Sequence, residues 1–440
     1  MLLEFRTKNY KSFVDEMVFS MTPAPKQKGL DYSILSEKVG RKNYKGICSA
    51  VVYGPNAAGK TNMIGAMETF RSIVLRGNIK NDIVSSPNVA SANLEMIPNC
   101  KKGNGYTEFS IKFVDEILVE YYIKIDLGPF LEASYSRKIL EEKLVINEKQ
   151  IFYRNNKLAI NLSTEIKKYV NKSINRNTPK MIEMAEASLS DTELFLNNGF
   201  KSIYAQELVN RILEWFSNKF MVVYSSNSIR LVKEMTNLKI NEFYTEDLLT
   251  DVAREFGITG SELGYKTIKT DNLEGVALFS KLGDKAILAN YFESYGTIRF
   301  INEFPLIIAA LKSGGTVVMD EFDASIHPMA LMNIINIFHN DDINIKNAQL
   351  IFNTHNPIFL DASLFRRDEI KFVERDEISG ESIHYALSDF KTAKNGVRKG
   401  EDYMNNYFVS RYGAIRDVDF EPIIENVVLG SVEAINNGKT

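Results

Sequence analysis

Apolar residues recur along this chain in two periods, and the places where the period changes mark its parts. Strand-like runs open it, at residues 2–6 and 17–21. Residues 22–46 are polar and carry Pro23, Pro25 and Gly29, which predicts an exposed connection. Ile47 to Tyr53 is apolar and β-branched, the pattern of a buried strand. Residues 61–76 then place Ile64, Met67, Phe70 and Val74 at helical spacing. Residues 77–105 are rich in Asn, Ser and Lys and read as loop. Alternation returns in 107–113, 117–125, 143–146 and 150–153, with turns at 147–149 and 154–156. That predicts an antiparallel meander of four or five strands.

The helical period takes over near residue 160. It runs through Ile182, Ala185 and Leu189, then through Leu208, Ile212, Trp215 and Phe216. Val222 to Tyr224 reads as a strand embedded in this stretch. Sustained heptads are missing, so no long coiled-coil arm is expected. A further apolar helix spans 298–311 and stops at Gly314-Gly315. Thr316 to Met319 is a fully apolar strand, 329–338 a helix, and 349–353 another short buried strand. Residues 369–374 and 382–387 form a hairpin across Ser379-Gly380. No internal repeat or low-complexity tract interrupts the pattern.

The fold class expected from this order is α/β. An N-terminal part (1–160) carries the glycine loop described below and an antiparallel β subdomain. A mainly helical insertion (161–265) follows, and a C-terminal part (266–440) completes the core. The chain's 440 residues are long enough for two or three core-bearing units. Composition changes little: 45% hydrophobic and 25% charged residues are ordinary for a globular protein. The net charge of −3 gives no globally basic surface, although a basic groove could hide within that balance. Two cysteines, Cys48 and Cys100, offer no disulfide framework, so a reducing compartment is expected. The first residues hold no signal-peptide apolar region, and the longest apolar run, 304–311, is far below a membrane span. A cytoplasmic protein without a membrane partner is the expectation.

Chemistry concentrates at strand ends. Gly54-Pro55-Asn56-Ala57-Ala58-Gly59-Lys60-Thr61 fits G-x-x-x-x-G-K-[ST] between a strand and a helix. Successive backbone N–H groups there would form an anion nest. Lys60 would reach β- and γ-phosphates, and the Thr61 hydroxyl would ligate Mg²⁺. The apolar strand 316–319 ends in Asp320-Glu321, which suits Asp320 to hold Mg²⁺ and Glu321 to polarise the attacking water. Alone, that acid pair would read equally well as a helix cap beside a solvated carboxylate. His355, in Asn353-Thr354-His355-Asn356-Pro357, follows the next strand and suits a γ-phosphate sensor. Ser294-x-Gly296-Thr297 opens a helix and could form a second anion site. One P-loop can share a nucleotide with that second site only if two protomers face each other. His327 is expected to be structural, and His339 and His384 ordinary polar residues. The histidines and cysteines show no metal-ligand spacing, so no zinc site is expected.

Taken together these residues resemble the ABC-type ATPases of the SMC, RecF and OLD group. More closely the chain is similar to stand-alone AAA-type ATPases of bacterial abortive-infection and anti-phage systems. Asn9 to Phe13, Gly54 to Thr61, Ser294 to Thr297, Asp320 to Pro328, Thr354 to Pro357, Arg366 to Ile370 and Arg411 to Ile415 carry the likeness. It implies ATP and Mg²⁺ held between two head-to-tail subunits, in a homodimer or larger homo-oligomer. Lys60, Thr61, Asp320, Glu321 and His355 match the positions for phosphate, Mg²⁺, Mg²⁺, catalytic base and γ-phosphate switch. Ser294 and Gly296 match the signature that completes the partner's site, and Asp323 an acidic residue that communicates across the dimer. Two departures stand out. Tyr295 replaces the small residue usual in transporters, and no glutamine occurs between residues 28 and 149 to serve as a Q-loop.

Two jobs are open for the hydrolysis. One is to control an effector, such as a nuclease, in an anti-phage system. The other is RecF-like DNA repair or chromosome maintenance. For DNA contact the candidates are Arg366, Arg367, Lys391, Lys394, Arg398, Lys399 and Arg411, although a charge-rich tail is more often a solvated face.

Overall fold

The computed structural model describes residues 1–425 apart from 26, 28, 81–93, 102–104, 131, 133, 134, 162–168, 171–177, 205, 225–242, 245, 246, 256–260, 271, 272, 325, 391–395, 398 and 399. The strands, in chain order, begin with β1 (Leu2–Lys8), β2 (Met17–Ser20), β3 (Ile34–Val39), β4 (Lys42–Ile47) and β5 (Ser49–Tyr53). Next come β6 (Thr107–Val114), β7 (Leu118–Asp126), β8 (Lys138–Ile146), β9 (Lys149–Arg154), β10 (Leu158–Ile160), β11 (Phe220–Val223) and β12 (Phe243–Tyr244). The last are β13 (Glu262–Thr270), β14 (Leu273–Leu282), β15 (Lys285–Leu288), β16 (Thr316–Met319), β17 (Gln349–Asn353), β18 (Ile370–Arg375) and β19 (Ser382–Ala386). The longer helices are α1 (Lys60–Arg76), α2 (Thr178–Ala187), α3 (Gln206–Glu214), α4 (Asp247–Glu255), α5 (Tyr295–Ser313) and α6 (Pro328–Phe338).

Two sheets clasp α1. One is seven-stranded and antiparallel, in the order β10-β9-β8-β7-β6-β1-β2. The other is six-stranded, in the order β11-β16-β17-β5-β18-β19, and parallel except for β19. Strand β5 explains the layering. All five of its residues are buried, as expected of a parallel strand covered on both faces. Ala50 and Val52 join the core around α1, and Val51 and Tyr53 join the core around α6. On α1, Phe70 stacks on Phe109 of the antiparallel sheet at 5.6 Å between ring centres. The helix therefore has apolar contacts on both sides, which is why so much of it is buried.

The expected α/β class, with its antiparallel β subdomain beside a P-loop core, is what the chain adopts. Helices occupy 178–187, 195–198, 200–203 and 206–214, and a π turn spans 215–219. Strand β11 emerges from these to pair in parallel with β16, so this part of the chain also supplies a strand to the central sheet.

Two features depart from the sequence pattern. Residues 34–47, expected to be an exposed connection, form the antiparallel hairpin β3–β4 around Gly40 and Arg41. Gly40 has φ 59°, a conformation that glycine adopts without a steric penalty in a two-residue hairpin loop. A four-stranded antiparallel sheet, β12-β13-β14-β15, occupies 243–288, where no strand pattern was read.

Candidate functional site

In the parallel sheet, Val52 of β5 lies opposite Asn353 of β17, and Met319 of β16 lies opposite Phe352 of β17. This register brings the carboxyl ends of three neighbouring strands to one edge. Gly54 follows β5, Asp320 follows β16, and Thr354 follows β17. Residues 300 positions apart in sequence meet because parallel strands share a direction. Such an edge is where ligands bind in open α/β sheets.

Hydrogen bonds lock the acid pair to that edge. Thr61 Oγ1 donates to Asp320 Oδ1 at 3.2 Å, and Asn353 Nδ2 donates to the same oxygen at 2.6 Å. The Asn353 side-chain oxygen accepts from the Glu321 amide. Glu321 has φ 50°, in the left-handed region that non-glycine residues rarely occupy. The Asn353 bond holds that strained turn, and it leaves the Glu321 carboxylate exposed. Thr354 Oγ1 donates to Asp323 Oδ2 at 2.6 Å, which ties the end of β17 to the acid-bearing turn.

Lys60 is 5% exposed, and its Nζ donates to Gly54 O at 2.7 Å and Pro55 O at 3.0 Å. Burial pushes its pKa down to about 8, against the pull of Asp320, Glu321 and Asp323. Burial likewise pushes Asp320 above the usual carboxylate range, with Glu321 adding to it and Asn353 and Thr61 opposing. His355 is held below the ordinary histidine value by burial and by Lys60, so its imidazole is neutral at pH 7. Lys60, Asp320, Glu321, Asp323 and His355 thus sense one another's charge.

The loop itself is shaped by its neighbours. Gly59 has φ 115°, and a Cβ there would strike the hydroxyls of Ser12 and Ser382. Ser382 Oγ donates to Ala58 O, and Asn62 Nδ2 donates to Ser12 Oγ at 2.8 Å. Asn56 and Ala57 are exposed at the loop's crest, with Ala58 and Gly59 buried beneath. The site offers hard oxygen donors (Thr61, Asp320), a cation (Lys60) and loop amides. That set fits a Mg²⁺–nucleotide phosphate.

A family model described as "AAA domain, putative AbiEii toxin, Type IV TA system" matches residues 49–361, well over half of the chain. The chain belongs to this family. A search of curated proteins gives no match. Among solved structures, the chain is similar to the SMC head domain from Thermotoga maritima, with 14% identity and TM-score 0.31, covering 88% of this chain and 98% of that one. It is also similar to the Smc head domain with an extended coiled coil bound to the C-terminal domain of ScpA from Pyrococcus furiosus. There the identity is 12% and the TM-score 0.34, over 88% of this chain and 97% of that one. No described helix of this AAA-domain protein is long and apolar enough to cross a membrane.

Ser294 and Gly296 lie at the start of α5. Ser294 is exposed and caps the helix, its Oγ accepting from Thr297 N at 3.1 Å. Its hydrogen bonds are local, and none reaches the P-loop of the same chain among the described residues. The sheet that the sequence pattern missed supports this corner. Ser261 and Ser280 both donate to Glu293 Oε1, at 2.9 and 2.8 Å, immediately before Ser294.

Two residues that sequence reasoning passed over do the joining. Asn353 is one. Arg299 is the other: from α5 it donates to the Asp320 carbonyl at 2.7 Å and to Glu303 Oε1 at 2.8 Å. One turn past Ser294, it links the helix to the acid-pair loop. Its sequence signal was weak, a lone arginine on an apolar helix. His327, expected to be structural, accepts from Met329 N at 3.2 Å and caps α6.

One nucleic-acid candidate needs correction. Arg366 is buried against Asp368, with bonds of 2.9 Å from Nε and NH2, and it holds Gly29 O. It is not available to a phosphate backbone. Arg367 bonds Gln27 Oε1 at 3.0 Å and the Val397 carbonyl, and Arg411 pairs with Glu401 at 2.9 Å. Lys391, Lys394, Arg398 and Lys399 lie outside the described residues.

Proposed function

We propose that the protein hydrolyses ATP with Mg²⁺ at a composite site between two head-to-tail copies of the chain. The observation that carries this is the meeting of Thr61, Asp320 and the exposed Glu321 at one sheet edge, beside Lys60 and His355. Thr61 and Asp320 would hold Mg²⁺, which when bound would draw charge off the phosphate oxygens. Lys60 leaves its loop carbonyls for the β- and γ-phosphates, and the amides of Asn56 to Thr61 cradle them. Glu321 takes the proton of the attacking water. Neutral His355 donates one N–H toward the γ-phosphate.

Support for the second copy comes from the start of α5. Ser294 and the buried Gly296 offer a helix N-terminus, and around them Tyr291, Phe292 and Tyr295 are 75%, 51% and 57% exposed. Large apolar side chains gathered at such a corner favour a protein partner. A second copy would supply the phosphate for that corner to meet. Asp323, tied to Thr354 beside the site, is the residue we assign to communication across this interface.

The family's description as a putative AbiEii toxin of a type IV TA system is what supports a defence role; within that reading the ATPase would act in the cytoplasm and regulate an effector such as a nuclease. The test is ATP turnover and particle mass for wild type and Glu321→Gln, with and without double-stranded DNA. Turnover lost in the variant, together with an ATP-dependent doubling of mass, is the expected result. Wild-type protein that neither turns over ATP nor associates on binding it overturns the proposal. Salt-dependent DNA stimulation would move the job toward the RecF-like reading. For the defence role, phage plating on cells carrying the locus should rise to the unprotected level with Glu321→Gln.

A further inference from the structure

At the opposite edge of the same sheet lies a second polar cluster that ATP chemistry does not use. Cys48 precedes β5, His339 caps the C-terminus of α6, and Glu369 precedes β18. All three are buried, and a Cys sulfur, a His nitrogen and a Glu oxygen lie within 4.8 Å of one another. Sequence spacing could not reveal them, because the fold alone brings positions 48, 339 and 369 together.

We propose that Cys48, His339 and Glu369 form a structural zinc site. The separations suit one ion. Cys48 Sγ is 3.8 Å from Glu369 Oε1, and His339 Nε2 is 3.2 Å from the same oxygen. A tetrahedral Zn²⁺, with Zn–S of about 2.3 Å and Zn–N and Zn–O of about 2.0–2.1 Å, requires edges of roughly 3.6 Å for S–O and roughly 3.3 Å for N–O. Thiolate, imidazole and carboxylate are the three ligand types zinc accepts, and the soft sulfur disfavours Mg²⁺ and Ca²⁺. Charge also balances: a thiolate and a carboxylate neutralise the dication, which matters where no water reaches.

The surroundings look like an outer shell. Glu369 Oε2 accepts from Arg366 N at 2.8 Å, which orients the carboxylate. Ser49 Oγ donates to Glu369 Oε1 at 2.6 Å and lies 3.0 Å from His339 Nε2, which further orients the carboxylate. The His339 ring is wedged between Tyr32 and Phe365, at 5.5 and 5.9 Å. A zinc here would staple the start of β5, the end of α6 and the start of β18. The alternative is a metal-free knot in which Ser49 and His339 simply hydrogen-bond to Glu369.

The experiment uses full-length Cys100→Ser, which leaves Cys48 as the sole thiol because the chain has two cysteines. It is expressed in zinc-supplemented and, separately, cobalt-supplemented minimal medium. The expected result is stoichiometric zinc by elemental analysis and, in the cobalt protein, a thiolate-to-cobalt charge-transfer absorption. Ions at the Thr61–Asp320 edge give no such band, since their ligands are oxygens. The further substitution Cys48→Ser should abolish the band. A folded Cys100→Ser protein with background zinc and no charge-transfer band overturns the proposal. That reading requires no variant of the cluster, so failure of Cys48→Ser to fold leaves it decisive. Strong chelation should also lower the Tm of Cys100→Ser, and an unchanged Tm on complete metal removal counts against a structural role.

Discussion

The parallel sheet carries polar clusters at both ends of its strands, and the two ends behave differently. At the carboxyl end, Glu321, His355 and Thr61 are exposed, Lys60 among the described residues bonds to carbonyls of its own loop, and Glu321 sits in a strained turn. At the amino end, Glu369, Asp368, Arg366 and His339 are buried. Glu369 and Asp368 accept bonds at both carboxylate oxygens. A charged group sealed in with its partners holds elements together. One whose bonds are local and exchangeable is available for chemistry. Neither residue type nor burial alone separates the two roles, since Lys60 and Asp320 are as buried as Arg366; the identity of the partners does.

Substitutions should split along the same line. Glu321→Gln should cut ATP turnover by about 10²–10⁴-fold, the usual worth of a general base, with ATP binding and Tm retained. If turnover survives, Glu321 is not the base. Asp368→Ala strands a buried Arg366 and should cost roughly 3–5 kcal/mol in denaturant unfolding. Lys60→Ala, by contrast, should abolish nucleotide binding without lowering Tm. Equal losses of stability at both ends would erase the distinction drawn above.

A smaller effect sharpens the link between the two anion sites. Arg299→Leu removes a charged hydrogen bond to the Asp320 carbonyl and should reduce turnover by an amount equivalent to about 1.5–3 kcal/mol. Single-site ATP affinity should hold. A loss of affinity with normal turnover would assign Arg299 to packing alone.

The mildest test is pH. The Lys60 pKa of about 8 lies below its ordinary value of 10.5, so the unfolded chain holds that proton more tightly. Its contribution to stability therefore rises between about pH 8 and 10.5 and is flat below. Phosphate binding needs the charged form. ATP affinity should thus weaken as pH climbs past about 8, with proton uptake on binding measurable by calorimetry in buffers of different ionisation heat. Affinity that is flat through pH 9 would contradict this.

Much of the catalytic edge could be read from sequence because each motif sits where an apolar strand stops. Gly54, Asp320 and Thr354 each follow a run of buried residues, and local pattern suffices to find them. Other features needed the fold. The hairpin β3–β4 was hidden because Ser36 and Lys38 face outward, a charged Glu37 occupies the inner side between them, and Pro23, Pro25 and Gly29 dominate the preceding stretch. Arg366 looks like a basic surface residue until Asp368, two positions on, is seen to clamp it. Arg299 and Asn353 act through backbone groups of a distant loop, which no local periodicity encodes.

In the composite site we propose, Lys60 of one chain and Ser294 of another serve the same ATP. Lys60→Ala and Ser294→Arg should each be inactive alone. Mixed together, they form pairs in which the intact Lys60 of one chain faces the intact Ser294 of the other. Turnover that reappears on mixing is the result the composite site demands. A mixture as inactive as its components, although the two variants pair with ATP in it, would contradict the composite site.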